Sequence, residues 1–172
     1  MKYGRSTRHM TAAQRFRGQL VRILEYSVMA VMAALVIDVV WQVFTRYVLG
    51  RQSSWTEELA TMLLMWGALL GAAVGFASNA HLGVDYLVNK LDSASRRVVA
   101  LYVHLATALF GSVMIWGGWK VVSGTLATNQ ISPALGLKMG YVYLAVPISG
   151  LFILLFAAEA FREDWAREPQ DF

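Results

Sequence analysis

Residues 59–77 read LATMLLMWGALLGAAVGFA, nineteen positions from Leu59 to Ala77 without one charged side chain. A helix crosses the hydrocarbon layer of a bilayer, roughly 30 Å thick, with about 20 such residues, so this run predicts a transmembrane span. What precedes it reads as a helix start. In Gln52-Ser53-Ser54-Trp55-Thr56-Glu57-Glu58, a Ser or Thr cap satisfies free N–H groups, and two glutamates suit the positive end of the helix. Trp55 then falls at the water boundary, where an indole ring anchors well.

Three further runs extend the pattern. Residues 26–44 carry a single charge, Asp38; residues 98–122 carry only His104 and the near-terminal Lys120; residues 139–161 hold Pro147 inside and Glu159 near the far end. The expected architecture is therefore an all-α integral membrane protein, one membrane domain over 1–172 with four transmembrane helices. A basic leader, 1–25, precedes the spans and a short tail, 162–172, follows them. Composition agrees with the span count. Of 172 residues, 57% are hydrophobic and 15% charged, against roughly 25% charged in soluble domains, and the mean hydropathy is +0.49. The Arg-rich leader has no small-residue cleavage pattern after it, and the first run is too long for a signal-peptide core, so the first helix is expected to stay uncleaved.

Orientation follows from the basic residues, which resist translocation. The leader, the second connection and the tail carry Lys2, Arg5, Arg8, Arg15, Arg17, Arg22, Lys90, Arg96, Arg97, Arg162 and Arg167, eleven in all; the first and third connections carry four, Arg46, Arg51, Lys120 and Lys138. Both termini are thus expected in the cytoplasm. The net charge of +4 comes from that leader and lacks the interleaved basic and aromatic surface of a nucleic-acid binder. Absence of cysteine excludes disulfides, thiolate metal sites and thiol nucleophiles. Between the second and third spans, Leu87 and Leu91 share a helical face while Asp85, Asn89 and Lys90 remain polar, which predicts a short interfacial amphipathic helix. The external connection from Arg46 to Glu58 is expected to form a short surface helix, with Arg46 or Arg51 paired to Glu57 or Glu58.

Several side chains are candidates for function. Asp38 sits mid-span, where a carboxylate costs several kcal/mol unless paired or neutralised. With Gln42 and Arg46 it follows an i, i+4, i+8 stripe that should face protein. Ion coupling and a structural polar contact are both open to it. Gly67, Gly71 and Gly75 form a small-residue face for close helix approach, with Gly136 and Gly140 as a weaker pair. His81 and Asp85 are i, i+4 at a membrane edge, too few for a metal site. His104 falls inside a span with no histidine at matching depth, so haem ligation is not expected. No nucleophile triad, phosphate loop or acid pair can be assembled, and neither catalysis nor a cofactor is expected.

Arg46-Tyr47, the stretch from Ser54 through Glu57 and Glu58 to Ala60, then Trp66, Gly67, Gly71, His81, Val84 and Asp85 together resemble the small membrane subunit of tripartite ATP-independent periplasmic (TRAP) transporters, the DctQ-like family. Ser132-Pro133-Ala134-Leu135-Gly136, followed by Tyr143, Pro147 and Gly150, is similar to that family's entry into its last helix. The resemblance implies a bacterial inner-membrane subunit that pairs with a large permease and works with a periplasmic substrate-binding protein. It further implies a secondary transporter driven by an ion gradient, usually Na+, taking up an organic acid, with the small subunit as a scaffold against membrane lipid. Two other readings stand beside it. One is a stand-alone homodimeric exporter using Asp38 as its coupling carboxylate; the other is a haem- or quinone-binding membrane anchor.

Overall fold

A computed structural model describes residues 12–51, 53–77 and 93–166. Five helices account for most of them: α1 (Ala12–Val48), α2 (Ser54–Ala77), α3 (Ser93–Ala127), α4 (Met139–Tyr143) and α5 (Ala145–Ala166). Four spans are long and apolar enough to cross a membrane, Arg17–Val48, Ser54–Ala77, Leu101–Ala127 and Met139–Arg162. The expected interfacial helix, with His81 and Asp85, lies outside the described residues, as do residues 1–11 and the end of the tail.

Helix α1 starts well before the apolar run because the second half of the leader, from Ala12 onward, contains good helix formers and no proline. Its 37 residues make it about 55 Å long. It ends where Gly50 takes a left-handed φ of +63°, and the carbonyl of Thr45 accepts from both Leu49 N (3.2 Å) and Arg51 N (3.3 Å). A glycine there closes the helix without a Cβ penalty. Helix α2 begins at Ser54, four residues after Gly50. The first connection is therefore short, and among its described residues the expected separate surface helix between Arg46 and Glu58 does not form.

The last span is two helices in one. Proline lacks an N–H and its ring crowds the carbonyl four residues back; for Pro147 that carbonyl belongs to Tyr143, and the helix breaks at Leu144 between α4 and α5. The ladder resumes with Ile148 N donating to Leu144 O at 3.2 Å. Between α3 and α4 the chain makes a compact hairpin-like turn. Ile131 and Lys138 pair as an antiparallel bridge, Ser132 N donates to Leu137 O at 2.8 Å and Gly136 N to Ser132 O at 3.0 Å, with Gly136 at φ +66°.

Packing runs in the lateral order α1, α2, α5, α3. Leu24, Leu70, Ala77 and Phe156 form the buried cluster where α1, α2 and α5 meet, with Trp66 and Phe152 packed against it. Helices α3 and α5 are antiparallel and approach to backbone contact. A Cβ at Gly150 would stand 2.7 Å from Met114 Cβ and 3.0 Å from Gly111 O; one at Gly118 would stand 2.7 Å from Pro147 Cδ. The outer helices keep broad apolar faces exposed, including Ile37, Val40, Trp41 and Tyr47 on α1 and Tyr102, Leu105, Trp116 and Trp119 on α3. Such area has to meet lipid or another protein.

Candidate functional site

Helix α2 is pinned by a charged side chain near each end. At its start, the Glu58 carboxylate turns towards the α3–α4 connection and accepts from the Ser132 hydroxyl. It also accepts from Ala134 N at 3.1 and 3.2 Å and from Leu135 N at 3.2 Å. Three donors from one turn converge on one carboxylate, an arrangement of the same kind as an anion held by successive backbone amides. Ser132 is buried beneath this contact, and its Oγ in turn accepts from Leu135 N at 3.3 Å. At the other end, Arg17 of α1 donates from Nη2 to the carbonyl of Ala77 at 2.9 Å, a cation on the negative end of α2. Its Nε lies 3.8 Å from Glu159 Oε2 on α5. Arg17 therefore gathers three helices.

The sequence predicts an ion pair of Arg46 or Arg51 with Glu57 or Glu58, and the structure bears on the Glu58 alternative. The carboxylate is instead taken by Ser132, Ala134 and Leu135, because the turn presents its donors directly over the first turn of α2. Next to this clamp lies an open cleft of about 850 Å³, lined by Glu57, Thr61 and Met65 of α2 and by Gln130, Pro133 and Tyr143 across from them.

Asp38 is buried, 6% exposed, and its Oδ2 has no hydrogen-bond partner among the described residues. The register of α1 against α2 places it nearly two turns beyond the point where Met32 meets Gly67. Gln42, one turn on, is half-buried, and Thr45 Oγ1 donates to its carbonyl at 3.0 Å. Arg46 and Tyr47 are exposed at the end of α1, and Trp55 is exposed at the start of α2. Among the described residues no group of three or more acidic or histidine side chains is placed to hold a metal ion.

The glycines divide unequally. A Cβ on Gly67 would stand 3.0 Å from Met32 Sδ; one on Gly71 would only touch Val28 at 4.0 Å, and one on Gly75 would meet nothing within 4 Å. The tightest seam lies elsewhere, through Gly111, Gly118 and Gly150, with Gly140 against Leu126. A search for small residues four apart does not single out Gly111 and Gly118, which are seven apart. His104 packs edge-on against Phe161 at 6.3 Å, and Lys120 lies 5.4 Å from the Trp116 ring, so both basic residues of the third span have aromatic neighbours.

Comparison with known proteins agrees with this framework. Residues 35–167 match the family model for the DctQ component of tripartite ATP-independent periplasmic transporters. A C4-dicarboxylate TRAP transporter small permease protein of Rhodobacter capsulatus is 38% identical over 108 residues, 62% of this chain and 48% of that relative. A putative TRAP transporter small permease protein of Haemophilus influenzae is 31% identical over 144 residues, covering 84% of this chain and 86% of the relative. An isethionate TRAP transporter permease protein of Oleidesulfovibrio alaskensis is 23% identical over 124 residues, 69% of this chain but only 20% of the relative. With four membrane spans, a family model matched across most of its length, and relatives that are transporter components, the chain belongs to the DctQ family of TRAP small permeases and is a multi-pass protein of the inner membrane.

Proposed function

We propose that this chain is the static scaffold subunit of a secondary transporter that takes up an organic acid, driven by an ion gradient, usually Na+, and supplied by a periplasmic binding protein. The large permease subunit moves the solute and the ions; this chain widens the part of the complex that stays fixed in the membrane. One observation carries the reading: the helices stand in a row and leave α1 and α3 with wide apolar outer faces. A self-sufficient carrier would turn polar groups towards an interior path, whereas a scaffold needs contact area. Two facts about relatives support it. One relative is matched over only a fifth of its length, consistent with a module continuous with a larger permease, and two carry acids in their names, a C4-dicarboxylate and isethionate.

In this reading both termini are cytoplasmic and the Glu58 clamp faces the periplasm, where the 850 Å³ cleft is open to the side from which the binding protein arrives. The test is reconstitution. Purification of the tagged chain should bring a large multi-span permease with it, and liposomes holding both subunits should take up solute only with binding protein and an inward Na+ gradient. Purification as a homodimer that transports unaided would overturn the proposal.

A further inference from the structure

Below the tight α3–α5 crossing, at the end of the bundle where Arg17 meets Glu159, the two helices diverge and leave a groove of about 450 Å³. The reason is local. The helices are locked at Gly111, whose added Cβ would stand 3.1 Å from both Gly150 O and Leu154 N. One turn further out only small residues, Ala108 on α3 and Ala157 and Ala158 on α5, stand between them. The groove is thus closed at its inner end, walled by apolar side chains including Leu105, and open towards the helix ends. At that mouth stand His104, packed edge-on against Phe161, and the exposed cation Arg162.

We infer that this groove holds one acyl chain of an anionic phospholipid whose phosphate is bound by Arg162. The wall chemistry selects hydrocarbon. A guanidinium at the mouth selects a phosphate, which its planar fork can grip through two N–H groups. Arg96 and Arg97 fall near the start of the helix that forms one wall, and the antiparallel pairing of α3 with α5 puts that start at the same end as Arg162. Each basic residue near an anionic surface adds about 1 kcal/mol of attraction. Of the acidic residues at this end, Glu159 is engaged by Arg17, and Glu163 and Asp164 follow Arg162 at helix positions stepped by about 100° each.

A photo-crosslinking residue at Leu105, in the full chain embedded in a phosphatidylcholine bilayer with a minor fraction of phosphatidylglycerol, tests this directly. The adduct should be mainly phosphatidylglycerol, out of proportion to its abundance. Ala158→Phe, which fills the groove, should abolish that adduct. Arg162→Gln leaves the groove intact and should reduce the preference for phosphatidylglycerol about fivefold, the discrimination one basic residue provides. Adducts that follow bulk lipid composition in the unaltered chain, or an adduct with a polypeptide in native membranes, would overturn the inference; the latter outcome would make the groove a protein interface.

Discussion

Glu58 serves residues that lie 74 to 77 positions further along the chain, and its substitution should be felt there. Glutamine keeps one acceptor oxygen and replaces the other with a donor, so Glu58→Gln satisfies part of the cluster and Glu58→Ala none of it. Amide hydrogen exchange at Ala134 and Leu135 should quicken in the order wild type, Gln, Ala, while exchange in the α3–α5 seam stays as it was; equal rates in all three would show that the hairpin holds itself. Asp38 gives a second prediction at this scale. Its Oδ2 is buried without a described partner, and a buried polar group left unsatisfied costs about 1–3 kcal/mol. Asp38→Asn keeps the shape and removes the ionisable group, so the thermal midpoint of the purified protein should not fall and uptake should keep its ion dependence. A changed ion-to-solute ratio in a normally assembled complex would assign Asp38 a coupling role.

Helix by helix, the sequence discloses the spans better than their meeting points. Uncharged runs such as Leu59–Ala77 locate a helix by hydropathy without reference to any neighbour, whereas a glycine's role depends on what stands opposite it. Gly67, Gly71 and Gly75 form a regular stripe, yet the closest backbones are at Gly111 and Gly150, two glycines on different helices whose relation only the fold creates. Pro147 is visible within the last run, and its effect, a break at Leu144, follows from its missing N–H. The seam supplies a paired prediction. Gly150→Ala forces a Cβ to 2.7 Å from Met114 Cβ, and overpacking of this kind typically costs about 1–3 kcal/mol; Gly75→Ala meets nothing within 4 Å and gains helix propensity. Unfolding monitored by circular dichroism should separate them clearly, with Gly150→Ala lowered and Gly75→Ala unchanged or raised. Gly75→Leu that unfolds normally but loses the large permease on purification would place Gly75 at the subunit contact.

Across the whole molecule, the eleven-to-four distribution of basic residues and the position of each connection give an orientation that can be read chemically, since the chain has no cysteine. Gln130→Cys, on the exposed hairpin, should react with a membrane-impermeant maleimide applied to the periplasmic side of spheroplasts, and Arg162→Cys should react only after the membrane is opened. The reverse pattern would invert the topology. The Glu58 clamp and the Arg17–Glu159 link are invisible to sequence reasoning for one shared reason: their partners are separated by 74 or more positions, and no local periodicity encodes such a pair.

That separation has a temporal meaning. Ribosomes deliver the chain from its amino end, so α1 and α2 enter the membrane while Ser132, Leu135 and Glu159 are still unmade. During that interval Arg17 can reach the Ala77 carbonyl but not the Glu159 carboxylate, and Glu58 has none of its three donors. The molecule therefore carries its own register of completeness. A product truncated before Ser132 would leave the Glu58 carboxylate bare at one end of α2, and one truncated before Glu159 would leave Arg17 without that acidic partner at the other.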